Sequence, residues 1–321
     1  ATRPSPNSAV TSQPRDRDAS TRTRRTCLPL GEQVADEAPS LKPILAAALG
    51  LVGDKGDAAA AAVAISKSIV PRSIQFDRKK LPDASLESAW SCLAVLAGGW
   101  SPATPRLTVG FADEPLQFEL CVDGRKIFAG NWTMETVCDG QAISPIGAWQ
   151  ELCWQSDKKC DFLELGVELA EGVQLERQIV LSKRDNVLLV ADVVSAKDRA
   201  SHRWRHAINL PLGRRVAWLP EAETRDGVLV TQKQRTAVLP LGLFEWRSDP
   251  RGGTLVSENG RLTLAEATTG RSLYTGLIFD LDPARSKKCR TWRQLTVSEM
   301  LEVVPRDVAV GFRAARPACW R

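Results

Sequence analysis

The chain carries two histidines, His202 and His206, and a single tyrosine, Tyr274. The histidines lie four residues apart in SHRWRHAINL (201–210), with Trp204 between them and Arg203 and Arg205 interleaved. Imidazole and phenol are the groups here that could act as base and acid in a proton transfer. Read as a strand, the segment turns His202, Trp204 and His206 to one face and Arg203 and Arg205 to the other. Strand spacing then holds the two histidine Cα atoms ~13 Å apart, too far for joint chelation. With no third histidine in the chain, no metal site is expected. No GxSxG, P-loop, GxGxxG, HExxH or EF-hand pattern occurs, so no cofactor is expected either. The simpler expectation for His206 is packing or polar satisfaction, with the histidines insufficient for catalysis.

The elements that must position these residues fall into two textures. From Pro105 onward, short apolar or alternating runs are separated by turn signals such as VDGRK, CDGQ, KRDN and ENGR. In VQLERQIVL the alternation puts Val173, Leu175, Arg177, Ile179 and Leu181 on one face. Runs at this spacing, with no intervening helical pattern, predict an antiparallel β-sandwich (supersandwich-like) over 105–313. Residues 40–104 read as a short helical segment. It comprises two Ala/Leu-rich pieces over 40–70, then DASLESAWSCLAVLA (83–97) with Leu86, Trp90, Leu93 and Leu96 on one helical face. Residues 1–39, rich in Pro, Ser, Thr and Arg, read as a disordered arm, and 314–321 as an irregular tail.

Charge narrows the partners. The formal net charge is +5, of which residues 1–26 contribute +4 from six Arg and two Asp. Nucleic-acid binding needs basic charge concentrated on a folded face, so no nucleic-acid partner is expected. The longest apolar run, AAAAAVAI (58–65), is far short of the ~20 residues that span a bilayer, so no membrane span is expected. Eight cysteines without a CxxC pair read as buried free thiols, with one or two bridges as the reading for an exported protein. The compartment stays open. Of ten tryptophans, most are expected to fill the space between the sheets.

The stretch LERQIVLSKRDNVLLVADVVSAKDRASHRWRHAINLPLG (175–213) resembles the C-terminal β-sandwich of heparinase II/III-like polysaccharide lyases. The matching residues are Arg177 leading a strand, Asp185 and Asn186 in a turn, VLLVAD ending at Asp192, and His206 on the next strand. AGNWTMETVCDG (129–140) and GAWQELCWQSDKKCDFLEL (147–165) resemble the strands that open such a sheet. Lyases of this family carry a large α/α-toroid before the sheet, whereas about sixty residues of helical sequence precede it here. The resemblance implies β-elimination on uronate-containing glycans, which needs a base, an acid and a group that neutralises the carboxylate. It makes His206 and Tyr274 the catalytic candidates. Arg203, Arg205, Trp204 and Trp292 become the carbohydrate-binding candidates, by carboxylate pairing and ring stacking. Some relatives hold a structural zinc through two His and one Asp; Asp192 and His206 would be two of the three, and no upstream histidine completes the set. The expectation is an accessory β-sandwich module that supports or binds an acidic polysaccharide and does not complete catalysis alone. A partner domain or self-association remains open, as do a true lyase and a structural domain without ligand.

Overall fold

A computed structural model describes residues 83–315, except 102, 199, 233, 250–251, 286–290, 306–308 and 310. The expected arm, the helices over 40–70 and residues 316–321 lie outside the described residues. In chain order the strands begin with β1 (Leu86–Ser88), β2 (Leu93–Ala97), β3 (Arg106–Gly110), β4 (Leu116–Val122), β5 (Arg125–Cys138), β6 (Gln141–Ile143) and β7 (Gln150–Ser156). They continue with β8 (Cys160–Glu168), β9 (Val173–Ser182), β10 (Val187–Ala196), β11 (His202–Pro211), β12 (Ala217–Pro220), β13 (Gly227–Val230) and β14 (Arg235–Pro240). The last are β15 (Gly253–Glu258), β16 (Arg261–Gly270), β17 (Ser272–Asp280), β18 (Thr291–Leu295), β19 (Ser298–Glu299), β20 (Glu302–Val303) and β21 (Gly311–Ala315).

Two large antiparallel sheets result. One runs β1-β2-β3-β4-β5-β11-β16-β15, with β6 paired to β5; the other runs β12-β13-β14-β17-β10-β9-β8-β7. Local chemistry explains the hairpins. Asp123–Gly124, Asp139–Gly140 and Asn259–Gly260 all have positive φ, the geometry of two-residue turns that match strand twist. Alternation explains the faces: Leu116, Phe118, Leu120 and Val122 of β4 are buried, and the residues between them are half-buried. Both sheets feed one core, where Phe128 of β5 meets Phe279 of β17 edge-on at 5.2 Å. The chain from 105 is thus mainly β and antiparallel, as its alternation implies.

One expectation is corrected. Residues 83–97 form β1 and β2, and no α-helix occurs among the described residues. Helical spacing would have gathered Leu86, Trp90, Leu93 and Leu96, but Leu86 and Trp90 are 60% and 76% exposed. LAVLA also fits a period of two, burying Ala94 and Leu96 while pairing residue by residue with β3. A short apolar run suits either period, and the partner strand decides. Among the described residues the sheet therefore begins at Leu86. Ala314 and Ala315 of β21, expected in the irregular tail, pair with Trp292 and Thr291.

At one margin, polar groups join the sheets. Fully buried Asp161 of β8 accepts Ser85 Oγ at 2.7 Å and the Ala97 amide at 3.0 Å. Its other oxygen takes Ser156 Oγ at 2.6 Å and Lys183 Nζ at 2.7 Å. Nearby, burial and a hydrogen bond shared with Glu87 push the Glu151 carboxyl up to about 7. A carboxyl raised in the folded state binds its proton more tightly there. Stability from this pair is greatest below the ordinary carboxylate range and falls as pH rises toward 7. Glu151→Gln should flatten the melting temperature between pH 5 and 8, raising it at the upper end. Unchanged pH dependence in this variant would refute the shared proton.

Candidate functional site

Arg177 stands in the inward phase of β9, between Leu175 and Ile179, where alternation calls for an apolar side chain. Asp192 of β10 lies directly across from it, and Thr275 of β17 lies across from Asp192 on the other side. From the facing sheet, His206 of β11 points into the same layer, flanked in register by Thr136 of β5 and Glu266 of β16. Arg177, Asp192 and His206 are all fully buried. Arg177 donates to both Asp192 oxygens, from Nε and Nη2, each at 2.7 Å. His206 Nε2 meets Asp192 Oδ2 at 2.9 Å, and its Nδ1 meets Thr136 Oγ1 at 2.9 Å. The guanidinium is stacked between rings, 3.8 Å from the centroid of Trp132 and 4.8 Å from that of Trp149. Glu114 accepts the Trp149 indole N–H. Gly242 passes over Glu266 so closely that a Cβ there would fall on the carboxylate.

The electrostatics follow from this packing. Burial by itself would raise the Asp192 carboxyl, but the Arg177 charge and the bonds from Arg177 and His206 outweigh it and hold it down at about 2. Both Asp192 oxygens and both His206 nitrogens are engaged within the protein. Three side chains thereby tie β9 and β10 to β11 through the core.

The two catalytic candidates lie on strands of different sheets, His206 on β11 and Tyr274 on β17. His206 faces inward. Tyr274 follows the opposite phase from Thr275 and sits across from Val193, so it projects from the other face of its sheet. Burial, with Glu266 and Asp192 nearby, pushes its hydroxyl up to about 12. Trp204 is buried and donates Nε1 to the Gly270 carbonyl at 2.9 Å. Trp292 is buried and stacked on Phe312 at 5.8 Å. Arg203 and Arg205 are exposed on the outer face of β11, the Arg203 side chain being 77% accessible. SHRWRHAINL is thus a sheet strand with the two faces its alternation implies.

No family model matches the sequence, and no curated protein matches it. The comparison of folds is informative. The heparan sulfate lyase HepC from Pedobacter heparinus superimposes with a TM-score of 0.57 at 12% identity, over 80% of this chain and 43% of that one. The fold is that of part of a heparan sulfate lyase. A heparinase III structure agrees, with a TM-score of 0.51 at 12% identity, over 74% of this chain and 42% of its own. The chain spans less than half the length of either, and at such identity the shared property is the fold.

Within this heparinase-like fold, several site residues escaped sequence reading. Thr136, Trp132, Trp149 and Glu266 enter the cluster only through register and sheet packing. Arg177 and Asp192 carried a signal, since each is a charged residue in the apolar phase of a strand. His202 gathers a second group at the start of β11. Its Nδ1 lies 2.8 Å from Asp139 Oδ2 and its Nε2 lies 3.2 Å from Asp198 Oδ1. The Cys138 thiol, the Asp139 carboxylate and the His202 imidazole have ligand atoms within 4.8 Å of one another. CDGQ had the look of a turn and nothing more. The five described cysteines are free and half-buried rather than fully buried. Cys121 shows why, as it shares the outward phase of β4 with Glu119, and burial with that carboxylate pushes its thiol up to about 11.

Proposed function

We propose that the chain is a supersandwich-like β module of heparinase II/III type that binds or supports an acidic polysaccharide without completing catalysis on its own. The observation that carries the reading is the likeness of fold to proteins described as heparinase III and heparan sulfate lyase. The sealed geometry of His206 favours a structural over a catalytic role for it, because a general base must come within hydrogen-bond reach of the proton it removes. Arg203 and Arg205 offer the cations that an anionic glycan needs, on the exposed side of the same strand.

The test has two readouts. Purified chain is incubated with heparan sulfate, alginate and related uronate polymers, following absorbance near ~235 nm, where elimination conjugates a double bond with the carboxylate. No turnover is expected. Binding to immobilised heparan sulfate is expected to weaken with added salt and to be lost in the Arg203→Glu/Arg205→Glu double variant, at unchanged melting temperature. Turnover abolished by His206→Ala or Tyr274→Phe with folding intact would establish a lyase instead. No saturable glycan binding at low salt would leave a structural domain.

A further inference from the structure

We infer that Cys138, Asp139 and His202 form a binding site for a borderline-soft divalent cation of the zinc class, with Asp198 holding the far nitrogen of the imidazole. This set shares no ligand with the Asp192–His206 cluster. It also avoids the geometric objection to chelation by His202 and His206, because its donors come from neighbouring strands rather than from distant points on one strand. Cys138 ends β5 and pairs with Trp204, so the inward-phase neighbour of Trp204 along β11, His202, lies diagonal to Cys138 on the same face. Asp139 follows immediately, in the left-handed region at φ 50°, and opens the turn into β6. That conformation folds its carboxylate back toward β11, where Oδ1 accepts the Arg203 amide at 2.8 Å and Oδ2 meets His202. Asp198 approaches the far side of the imidazole from the chain between β10 and β11.

The donor chemistry selects the ion. A thiol and an imidazole beside carboxylates suit zinc, cobalt or nickel, whereas calcium and magnesium prefer oxygen alone. Bonds of ~2.0 Å to nitrogen or oxygen and ~2.3 Å to sulfur place tetrahedral ligands roughly 3.3–3.7 Å apart. Ligand atoms already within 4.8 Å need shifts of about an ångström to close on a cation. On binding, the thiol proton leaves to solvent and the sulfur coordinates as thiolate; His202 Nδ1 exchanges its hydrogen bond with Asp139 for the metal, and the Nε2 hydrogen bond to Asp198 orients the ring. All four groups are at least partly accessible, so an ion can enter. The bound ion would pin the β5–β6 turn to the start of β11.

The full chain, reduced and freed of metal by chelator dialysis, is titrated with Co2+ and followed by absorption. One equivalent is expected to bind, with a thiolate-to-cobalt charge-transfer band that Zn2+ abolishes by displacement. Cys138→Ser should remove the band, and His202→Ala should weaken binding at least tenfold. Cys121→Ser, whose thiol lies elsewhere on the outer face of β4, should behave as the parent. Zn2+ should raise the melting temperature of the parent but not of Cys138→Ser. A band that survives Cys138→Ser, affinity unchanged in His202→Ala, or no saturable binding at all would overturn the site.

Discussion

Asp192→Ala is expected to destabilise the fold by about 3–5 kcal/mol, because it leaves the Arg177 guanidinium buried without its anion. That is a large share of a total stability on the order of 5–15 kcal/mol, and the variant should unfold early in urea or fail to accumulate. Arg177→Met in the same chain should recover part of the loss. The double variant replaces the pair by apolar volume instead of orphaning one charge, though it forfeits the cation stacked between Trp132 and Trp149. His206→Ala should cost less, about 1–3 kcal/mol, since it removes a hydrogen-bonded ring and leaves the ion pair. Asp192 is held at about 2 in the fold, so its contribution is present above the unfolded carboxylate range and is lost as pH falls through that range toward 2. The acid limb of the stability curve should therefore flatten in the Arg177→Met/Asp192→Ala variant. A urea series in which Asp192→Ala stays within about 1 kcal/mol of the parent would show that the cluster does not hold the sheets.

The second large effect is expected at Asp161. Asp161→Ala removes the acceptor for Ser85 Oγ, the Ala97 amide, Ser156 Oγ and Lys183 Nζ in one step. A loss of about 2–4 kcal/mol follows from leaving these donors in a largely dry margin, with the lysine able to recover part of its hydration. The loss should be local in its first expression. β1 and β2 form the end of their sheet, and Asp161 is what ties Ser85 and Ala97 to the opposite sheet. Amide exchange at Ala94–Leu96 should accelerate in Asp161→Ala while the β9–β10 amides keep their protection. Equal acceleration in both places would mean that the margin unfolds only with the whole domain, and no acceleration in either would remove Asp161 from the account.

Much of this architecture is written locally. The alternation of VQLERQIVL, the Asp-Gly and Asn-Gly turns, and the two faces of SHRWRHAINL each depend on a few neighbouring residues, and all appear in the fold as their spacing implies. Arg177 and Asp192 were visible as charges in apolar phases, which announces a partner without naming it. What the sequence could not convey is who meets whom across sheets and between strands distant in the chain. Residues 83–97 fit a helical period and a strand period equally well, and the availability of β3 as a pairing edge chose the strand. Tyr274 and His206 are both on strands, and only sheet packing sets Tyr274 near Asp192 and Glu266, the residues that flank His206. Cys138 and His202 are 64 positions apart in sequence and become neighbours because β5 pairs with β11 in one particular register. Side-chain period is a property of each strand alone, whereas register and facing are set by the packing of all the others. So the sequence determined the strands and their faces, and only the tertiary structure decided which faces became sites.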